Sequence, residues 1–247
     1  MFLVFKKSML EIKNLTSAVQ WKNILENIDM NFEIWKNYCI LGENGSGKSS
    51  LALTIMWHPK YEITDWEIIV DGQKINGFTP DQKAKLWIFL AFQNIPEIPW
   101  IKLFEFLRTI YNNSTWENLT FLKFKNFIIP YLEDIWLDQE FLRRDLNVWF
   151  SWWEKRKIEL LQIKLLKPKY IFLDEIDSGL DVDAFKSISK SISELNDETN
   201  CFIFITHHFE IINNIDIDEV YVLKDGRVEE TGDKSLIEKI KKDWFSK

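Results

Sequence analysis

The chain has 247 residues, a formal net charge of −7 and a hydrophobic content of 46%. This length accommodates one large α/β domain or two small ones, and the acidic balance argues against a general affinity for nucleic acid or anionic lipid. No apolar run approaches the roughly 18 residues of a membrane helix. The first residues, MFLVFKKS, carry their charge after the apolar stretch, unlike a signal peptide. We therefore expect a cytoplasmic protein.

The N-terminal third predicts strands and a helix in alternation. LEIKNLTSAV (10–19) and KNILENIDMNF (22–32) alternate apolar and polar residues, which predicts paired antiparallel strands. NYCILG (37–42) predicts a short buried strand, and SSLALTIM (49–56) has helical spacing. EIIVDGQKI (67–75) predicts a hairpin with Asp-Gly at its turn.

The rest of the chain predicts helices followed by further buried strands. Residues 101–146 are rich in Phe and Leu and carry no strand signal. YIFLDE (170–175) and CFIFITHH (201–208) predict strands on either side of a helix from about 184 to 195, and EVYVLKDGRVEETGD (219–233) predicts a closing hairpin. Continuous apolar strands separated by helices indicate an α/β fold with a mostly parallel sheet covered on both faces. Cys39 and Cys201 lie in these apolar strands, which favours buried thiols over a disulfide or metal pair.

The stretch GENGSGKSS (42–50) carries the first chemical signal. Gly42, Gly47, Lys48 and Ser49 fit the G-x-x-x-x-G-K-[ST] phosphate loop, between a predicted strand and a predicted helix as that motif requires. Its glycines let backbone N–H groups turn toward the β-phosphate, the lysine reaches the β- and γ-phosphates, and the serine ligates Mg²⁺. The alternative is a chance glycine-rich turn.

Two further strand ends carry side chains suited to phosphate chemistry. YIFLDE predicts a buried strand that delivers Asp174 to a metal and Glu175 to an attacking water. FITHH places His207 at another strand end, where an imidazole can contact a γ-phosphate, while His208 is expected on the surface. The alternatives are an acidic strand end that faces solvent and a structural histidine.

Taken in order, GENGSGKSS, AFQ with Gln93, LDEIDSGLD (173–181) and His207 resemble the nucleotide-binding domain of the ATP-binding cassette (ABC) family. The resemblance covers nearly the whole chain. It implies an α/β P-loop fold of the RecA-like type, with an N-terminal antiparallel β-subdomain and an inserted helical subdomain at about 95–157. It implies an ABC ATPase domain over 9–247, with 1–8 as an N-terminal extension.

The resemblance also implies roles for individual residues. Ser49, Gln93 and Asp174 would arrange Mg²⁺ and water, Glu175 would act as general base, and His207 would fix the γ-phosphate. Two domains would meet head to tail around ATP, and Asp181 would couple the two sites. The residues expected to contact ATP are Gly42, Glu43, Asn44, Gly45, Ser46, Gly47, Lys48, Ser49 and Ser50, together with Ser151, Trp152, Trp153 and Asp181.

The tryptophans of this chain are out of place. In the family, a signature L/F-S-G-G-[EQ] precedes the acidic strand, and here FSWWE (150–154) puts Trp152 and Trp153 where the two glycines belong. The chain has 12 Trp and only 8 Gly, which together would be an ordinary glycine content. We hypothesise that most or all of the tryptophans are glycines in the native protein, because some bacteria read UGA as glycine where other translation tables read tryptophan. Four others stand at predicted turns where φ is expected to be positive: Trp21, Trp35, Trp57 and Trp66.

Finer resemblance points to one branch of the family. MWHPKYEITDWEI (56–68), AFQNIPEIPW (91–100) and NVWFSWWEKRK (147–157) resemble SufC proteins, the ATPase subunits of the SUF iron–sulfur cluster assembly system. That implies SufB- and SufD-like scaffold partners, ATP-dependent homodimerisation, no nucleic acid partner and no direct membrane insertion. The alternatives are the ATPase subunit of an ABC transporter and, if Trp152 and Trp153 are genuine, a non-hydrolysing ATP-binding subunit.

Overall fold

The computed structural model describes residues 8–176, 182–207 and 215–245, which divide between two compact units. The first unit falls within Met1–Gln93, Lys169–Gly179 and Asn196–Lys247, and the second within Asn94–Pro168 and Leu180–Leu195. In the part of the chain described, no helix is long and apolar enough to cross a membrane.

The described residues form strands and helices with the following bounds. The strands are β1 (Met9–Val19), β2 (Lys22–Glu33), β3 (Tyr38–Leu41), β4 (Glu62–Val70), β5 (Gln73–Lys74), β6 (Ile88–Ala91), β7 (Ile98–Lys102), β8 (Asp145–Leu146), β9 (Tyr170–Asp174), β10 (Cys201–Ile205), β11 (Glu219–Lys224) and β12 (Arg227–Gly232). The helices are α1 (Lys48–Ile55), α2 (Pro80–Ala84), α3 (Leu103–Thr115), α4 (Phe121–Asp134), α5 (Trp152–Leu166), α6 (Val182–Leu195) and α7 (Ser235–Phe245), with a 3₁₀ turn at Gln139–Arg143.

A four-stranded antiparallel sheet in the order β2-β1-β4-β5 opens the first unit. Its inward side chains alternate along β1 and β2, as the period-2 pattern predicted, and they bury Leu10, Ile12, Ile28 and Phe32 completely or nearly so. β1 and β2 pair with Val19 opposite Lys22, so the turn between them has two residues. The predicted antiparallel strand pair is confirmed.

The second sheet of this unit has six strands in the order β12-β11-β3-β10-β9-β6. The five strands from β11 to β6 are parallel, and β12 closes the edge as a hairpin partner of β11. Strands β3, β9 and β10 are fully buried, which explains their unbroken apolar runs. Because β3, β10 and β9 are neighbours and parallel, their carboxyl ends lie along one edge of the sheet, where the phosphate loop, Asp174 and His207 follow.

The two cysteines lie inside this sheet as buried thiols. Cys39 stands opposite Phe204 in the pairing of β3 with β10, so the two cysteines are not cross-strand partners. Burial raises the pKa of the Cys201 thiol well above its ordinary value, which keeps it protonated and unreactive. The prediction of buried thiols is confirmed.

The second unit is mainly helical and has its own apolar core. Leu107 on α3, Phe124 and Ile128 on α4, and Leu161 on α5 are completely buried against one another. The prediction that 101–146 contains no strand was wrong, because β7 extends to Lys102 and pairs with the two-residue strand β8. So short a strand has too few residues to show an alternating pattern.

Trp66 is a second correction. The sequence suggested a turn residue before a strand, but β4 begins at Glu62 and Trp66 lies within it, with no positive φ. Its ring packs against the core of the first unit and 4.9 Å from the ring of Trp57. The first half of this strand, EITDW (62–66), is mostly polar, and its side chains are exposed or only partly buried. It therefore lacks the apolar pattern by which a strand is predicted.

Candidate functional site

The phosphate loop between β3 and α1 requires glycine for two separate reasons. A Cβ on Gly42 would lie 2.4 Å from Ser46 Oγ and 2.5 Å from the carbonyl oxygen of Leu223, so a larger residue does not fit. Gly45 and Gly47 have φ of 83° and 106°, in the left-handed region that disfavours L side chains. Gly47 caps α1, and the first N–H groups of that helix therefore face into the loop.

Lys48 is held over the inside of this loop. Its Nζ donates hydrogen bonds to the carbonyl oxygens of Gly42, at 2.7 Å, and Glu43, at 3.0 Å, and the residue is only 5% exposed. Burial lowers the pKa of the ammonium group, while the carboxylates of Glu175 and Asp174 oppose that shift. The loop therefore concentrates positive potential where the phosphates of a nucleotide would lie.

Ser49 and Asp174 form the oxygen pair that the sequence predicted as metal ligands. The Ser49 hydroxyl donates to Asp174 Oδ1 at 3.0 Å, which joins the start of α1 to the end of β9, and Asp174 is buried. Among the described residues, no cluster of three His, Cys, Asp or Glu could hold a metal. A hydroxyl and one carboxylate fit Mg²⁺, which keeps several waters and takes its other ligands from substrate phosphates.

Glu175 is fixed by contacts on two sides. Its Oε1 is 2.9 Å from Nδ1 of His207, and its Oε2 accepts a hydrogen bond from Nε2 of Gln93. Its backbone is left-handed, with φ of 46°, and its N–H donates to the carbonyl oxygen of Ile205 at 2.8 Å. A left-handed glutamate is strained, and strain of this kind concentrates at functional sites. No local sequence pattern indicates that backbone conformation.

One cavity of about 290 Å³ is lined by these side chains except Asp174, which bonds to Ser49 in its wall. The cavity lies entirely within the first unit and brings together residues from the phosphate loop and the ends of three strands. Asp181 and His208, which the sequence also singled out, lie outside the described residues. The residues that line the cavity are Asn44, Gly45, Gly47, Lys48, Ser49, Ser50, Gln93, Glu175 and His207.

The predicted signature lies in the second unit, at the start of α5. Ser151 caps this helix, since its Oγ accepts from the N–H of Glu154 at 3.2 Å while the Glu154 carboxylate accepts from the N–H of Ser151 at 2.7 Å. Trp152 and Trp153 occupy the first two helical positions. The guanidinium of Arg156 lies 4.5 Å from the Trp152 ring centroid, and Nζ of Lys157 lies 5.5 Å from that of Trp153.

Comparison with known proteins agrees with this geometry. A family model described as "ABC transporter" matches residues 25–178. A probable ATP-dependent transporter of Cyanidium caldarium is 38% identical over 242 residues, which cover 96% of this chain and 95% of the relative. A protein of the same description from Synechocystis sp. is 39% identical over 234 residues, covering 93% and 91%.

Solved structures show the same fold. The dimeric bacterial ABC transporter cassette MJ0796 superposes with a TM-score of 0.76 at 21% identity, over 91% of this chain and 98% of that one. A second structure of that cassette, in a post-hydrolysis state with ADP and phosphate, gives the same score, identity and coverage. The chain belongs to the ABC transporter ATP-binding family and is an ABC-type ATPase that acts on ATP with Mg²⁺.

Proposed function

We propose that this chain is the ATP-hydrolysing subunit of a SufBCD-type iron–sulfur cluster assembly complex, in which ATP-driven dimerisation changes the conformation of the scaffold. The observation that carries its enzymatic part is the position of Glu175, held between Gln93 and His207 on the cavity that Lys48 and Ser49 also line. A carboxylate fixed beside a phosphate loop is suited to take a proton from an attacking water.

The phosphate loop would bind the nucleotide. Lys48 would exchange its two loop carbonyls for β- and γ-phosphate oxygens, and the N–H groups at the start of α1 would contact the β-phosphate. Ser49 and Asp174 would hold Mg²⁺, with Gln93 near it. The metal neutralises charge on the β- and γ-phosphate oxygens.

Glu175 would act as general base. Its contact with Gln93 orients one oxygen, and His207 bonds to the other. In the proposed reaction the attacking water gives its proton to Glu175 as the γ-phosphoryl group leaves ADP, while His207 turns toward the γ-phosphate. Part of the energy needed to hold Glu175 in a left-handed conformation comes from its backbone hydrogen bond to Ile205.

A second copy of the chain would complete each site. The helix N-terminus at Ser151, with residues 152 and 153, would meet the γ-phosphate bound by the opposite subunit, and Asp181 would couple the two sites. An indole at 152 or 153 would obstruct that approach, because the signature works through a hydroxyl and exposed backbone N–H groups. This closed form is therefore proposed for a chain with glycine at both positions.

The choice of the SUF system depends on the sequence next to the site. DEIDSGLDVDA has Asp177 where transporter cassettes usually carry Ser or Thr after a proline, and the signature region NVWFSWWEKRK resembles that of SufC proteins. The names of the relatives, probable ATP-dependent transporters, support the second candidate, an ATPase subunit that pairs with a membrane permease.

Co-expression separates the two candidates. A version with glycine at all twelve tryptophan positions is produced with the SufB and SufD homologues of the same genome, and separately with its permease subunits. We expect a stable complex with SufB and SufD that stimulates ATP hydrolysis. Association with a permease alone would contradict the SUF assignment and leave the ATPase assignment intact.

A further inference from the structure

The backbone at most of the tryptophans has the conformation of glycine. Of the 16 described non-glycine residues with positive φ, eight are tryptophan, and five of the other eight are Asn or Asp. Asn and Asp tolerate this region because their short side chains bond locally, whereas a bulky aromatic does not. The eight left-handed tryptophans, with φ from 55° to 75°, are Trp21, Trp35, Trp57, Trp87, Trp100, Trp116, Trp136 and Trp149.

The hairpin turns of the chain offer an internal comparison. Three hairpins have two-residue turns in which both residues are left-handed, the geometry that favours Asn-Gly or Asp-Gly. Two of these turns are Asp71-Gly72 and Asp225-Gly226. The third is Gln20-Trp21, with φ of 49° and 65°. Tryptophan therefore stands where the same chain uses glycine in an identical turn.

Tryptophan also occupies a position typical of glycine after two of the helices. After α1, the N–H of Trp57 donates to Thr54 and that of His58 to Leu53, which is the pair of hydrogen bonds of a Schellman motif. After α4, Trp136 and Leu137 make the same two bonds, to Glu133 and Leu132. The left-handed residue of this motif is usually glycine.

Exposure excludes a packing reason for most of these residues. Five of the eight side chains are at least 85% exposed, although tryptophan is among the residues that are most buried on average. An indole that lies in solvent contributes little packing energy to offset the strain of its left-handed backbone. The five are Trp21, Trp100, Trp116, Trp136 and Trp149.

We propose that these eight positions are glycine in the protein that its own cell makes, through UGA codons that the cell decodes as glycine. A left-handed L residue lowers the folding equilibrium constant about tenfold. Eight separate penalties multiply to about 10⁸, which equals the whole folding equilibrium constant of a stable domain, about 10³–10⁸. A chain with tryptophan at all eight positions therefore lacks the stability to fold well, whatever its function.

The codons and the native protein test this directly. We expect UGA at the eight positions in the gene, and peptides of the protein isolated from its own cells that carry glycine there, lighter by the mass difference between the two residues. UGG codons, or native peptides that contain tryptophan, would overturn the proposal.

A folding experiment tests the physical argument apart from the genetic code and apart from ATPase activity. In a chain with glycine at the other seven positions, Trp21 is compared with Trp21→Gly and Trp21→Ala by denaturant unfolding. We expect Trp21→Gly to raise the folding equilibrium constant about tenfold over Trp21→Ala, since both lack the indole and only alanine has a Cβ. Equal stability of the two variants would overturn the backbone argument.

The matched control is Trp66→Gly in the same background. Trp66 lies in strand β4 without a positive φ and packs on the core, so its replacement relieves no strain and loses buried area. We expect no gain in stability there. A gain as large as that at Trp21 would mean that the indole itself, and not the left-handed backbone, is responsible, and would overturn the proposal.

Discussion

At the scale of single residues, the end of strand β9 brings two acids, Asp174 and Glu175, to the candidate site. Glu175 lines the cavity, and Asp174 accepts a hydrogen bond from Ser49, which also lines it. Four apolar residues that end in two acids predicted this strand end. The left-handed backbone of Glu175 and its bond to Ile205 come from the neighbouring strand β10. Contacts between distant parts of the chain leave no local pattern, so the sequence alone could not indicate them.

Glu175→Gln tests the general base. The amide keeps the shape of the side chain but cannot accept a proton, so we expect ATP hydrolysis to fall by about a hundredfold or more. ATP binding is retained, because the phosphate loop is untouched. Steady-state hydrolysis and calorimetric binding, in the chain with twelve glycines, measure the two effects. A variant that keeps more than a tenth of the activity contradicts the assignment.

Lys48→Ala tests the phosphate loop. The change removes a buried ammonium that bonds to Gly42 and Glu43 and would bond to phosphate, so both nucleotide affinity and activity should fall. Lys60→Ala, at an exposed position near the end of α1, is the control and should leave both unchanged. Equal nucleotide affinity of the two variants, measured by calorimetry, would show that ATP binds elsewhere.

The ammonium group of Lys83 lies beside two of the tryptophans, so its pKa tests their effect on the fold. It is completely buried, with its Nζ 5.0 and 5.5 Å from the ring centroids of Trp57 and Trp66, and burial lowers its pKa to about 8 from an ordinary 10.5. Between these values the unfolded chain binds more protons than the folded one, so the free energy of unfolding should rise as pH rises from about 8 to 10.5.

Glycine at both positions should remove that pH dependence, because water then reaches the ammonium. The measurement is denaturant unfolding across this pH range, with and without Trp57→Gly and Trp66→Gly, in a chain with glycine at the other left-handed positions. Lys83→Met should show no such dependence in either background. A rise that persists in Lys83→Met would assign it to another group.

At the scale of elements, periodicity predicted the long segments and failed on the short ones. β1, β2 and the three buried strands β3, β9 and β10 follow their sequence patterns, because each has enough residues to show a period or an unbroken apolar run. β8, with two residues, shows no pattern, and the polar start of β4 obscured that strand. Both Asp-Gly hairpins were predicted because their turn residues are specific to the geometry.

Gly226→Ala tests the contact between a hairpin turn and β2. Gly226 has φ of 76°, and a Cβ there would lie 2.2 Å from the carbonyl oxygen of Ile24. Gly77 has nearly the same φ, 77°, with no atom within 4 Å of such a Cβ. Gly77→Ala should therefore cost about 1–2 kcal/mol for the backbone alone, and Gly226→Ala clearly more, by denaturant unfolding. Equal losses would mean that β2 moves freely to admit the methyl group.

At the scale of the whole molecule, the motifs predicted the family and its chemistry, whereas the biological system was inferred only from a finer resemblance next to the site. The motifs lie at the ends of adjacent parallel strands, so their order along the chain already indicates one site. The partners of the ATPase are determined by the surfaces that recognise them. No period or motif spacing in a single chain identifies such a surface. The number of tryptophans and the two in the signature are anomalies of the sequence, but the backbone conformation distinguishes the eight left-handed tryptophans from Trp66.

The last prediction concerns the activity of the complete chain. With all twelve tryptophans, each of the eight left-handed ones costs about 1–3 kcal/mol, and their sum is comparable with or larger than the whole stability of a domain, about 5–15 kcal/mol. We therefore expect this chain to be poorly soluble and inactive. Trp152→Gly and Trp153→Gly alone should not restore activity, because the helix N-terminus is then open but the eight left-handed positions remain. Glycine at all twelve positions should give a soluble ATPase, assayed by phosphate release. A soluble and fully active chain with twelve tryptophans would mean that its signature contacts ATP without the two glycines.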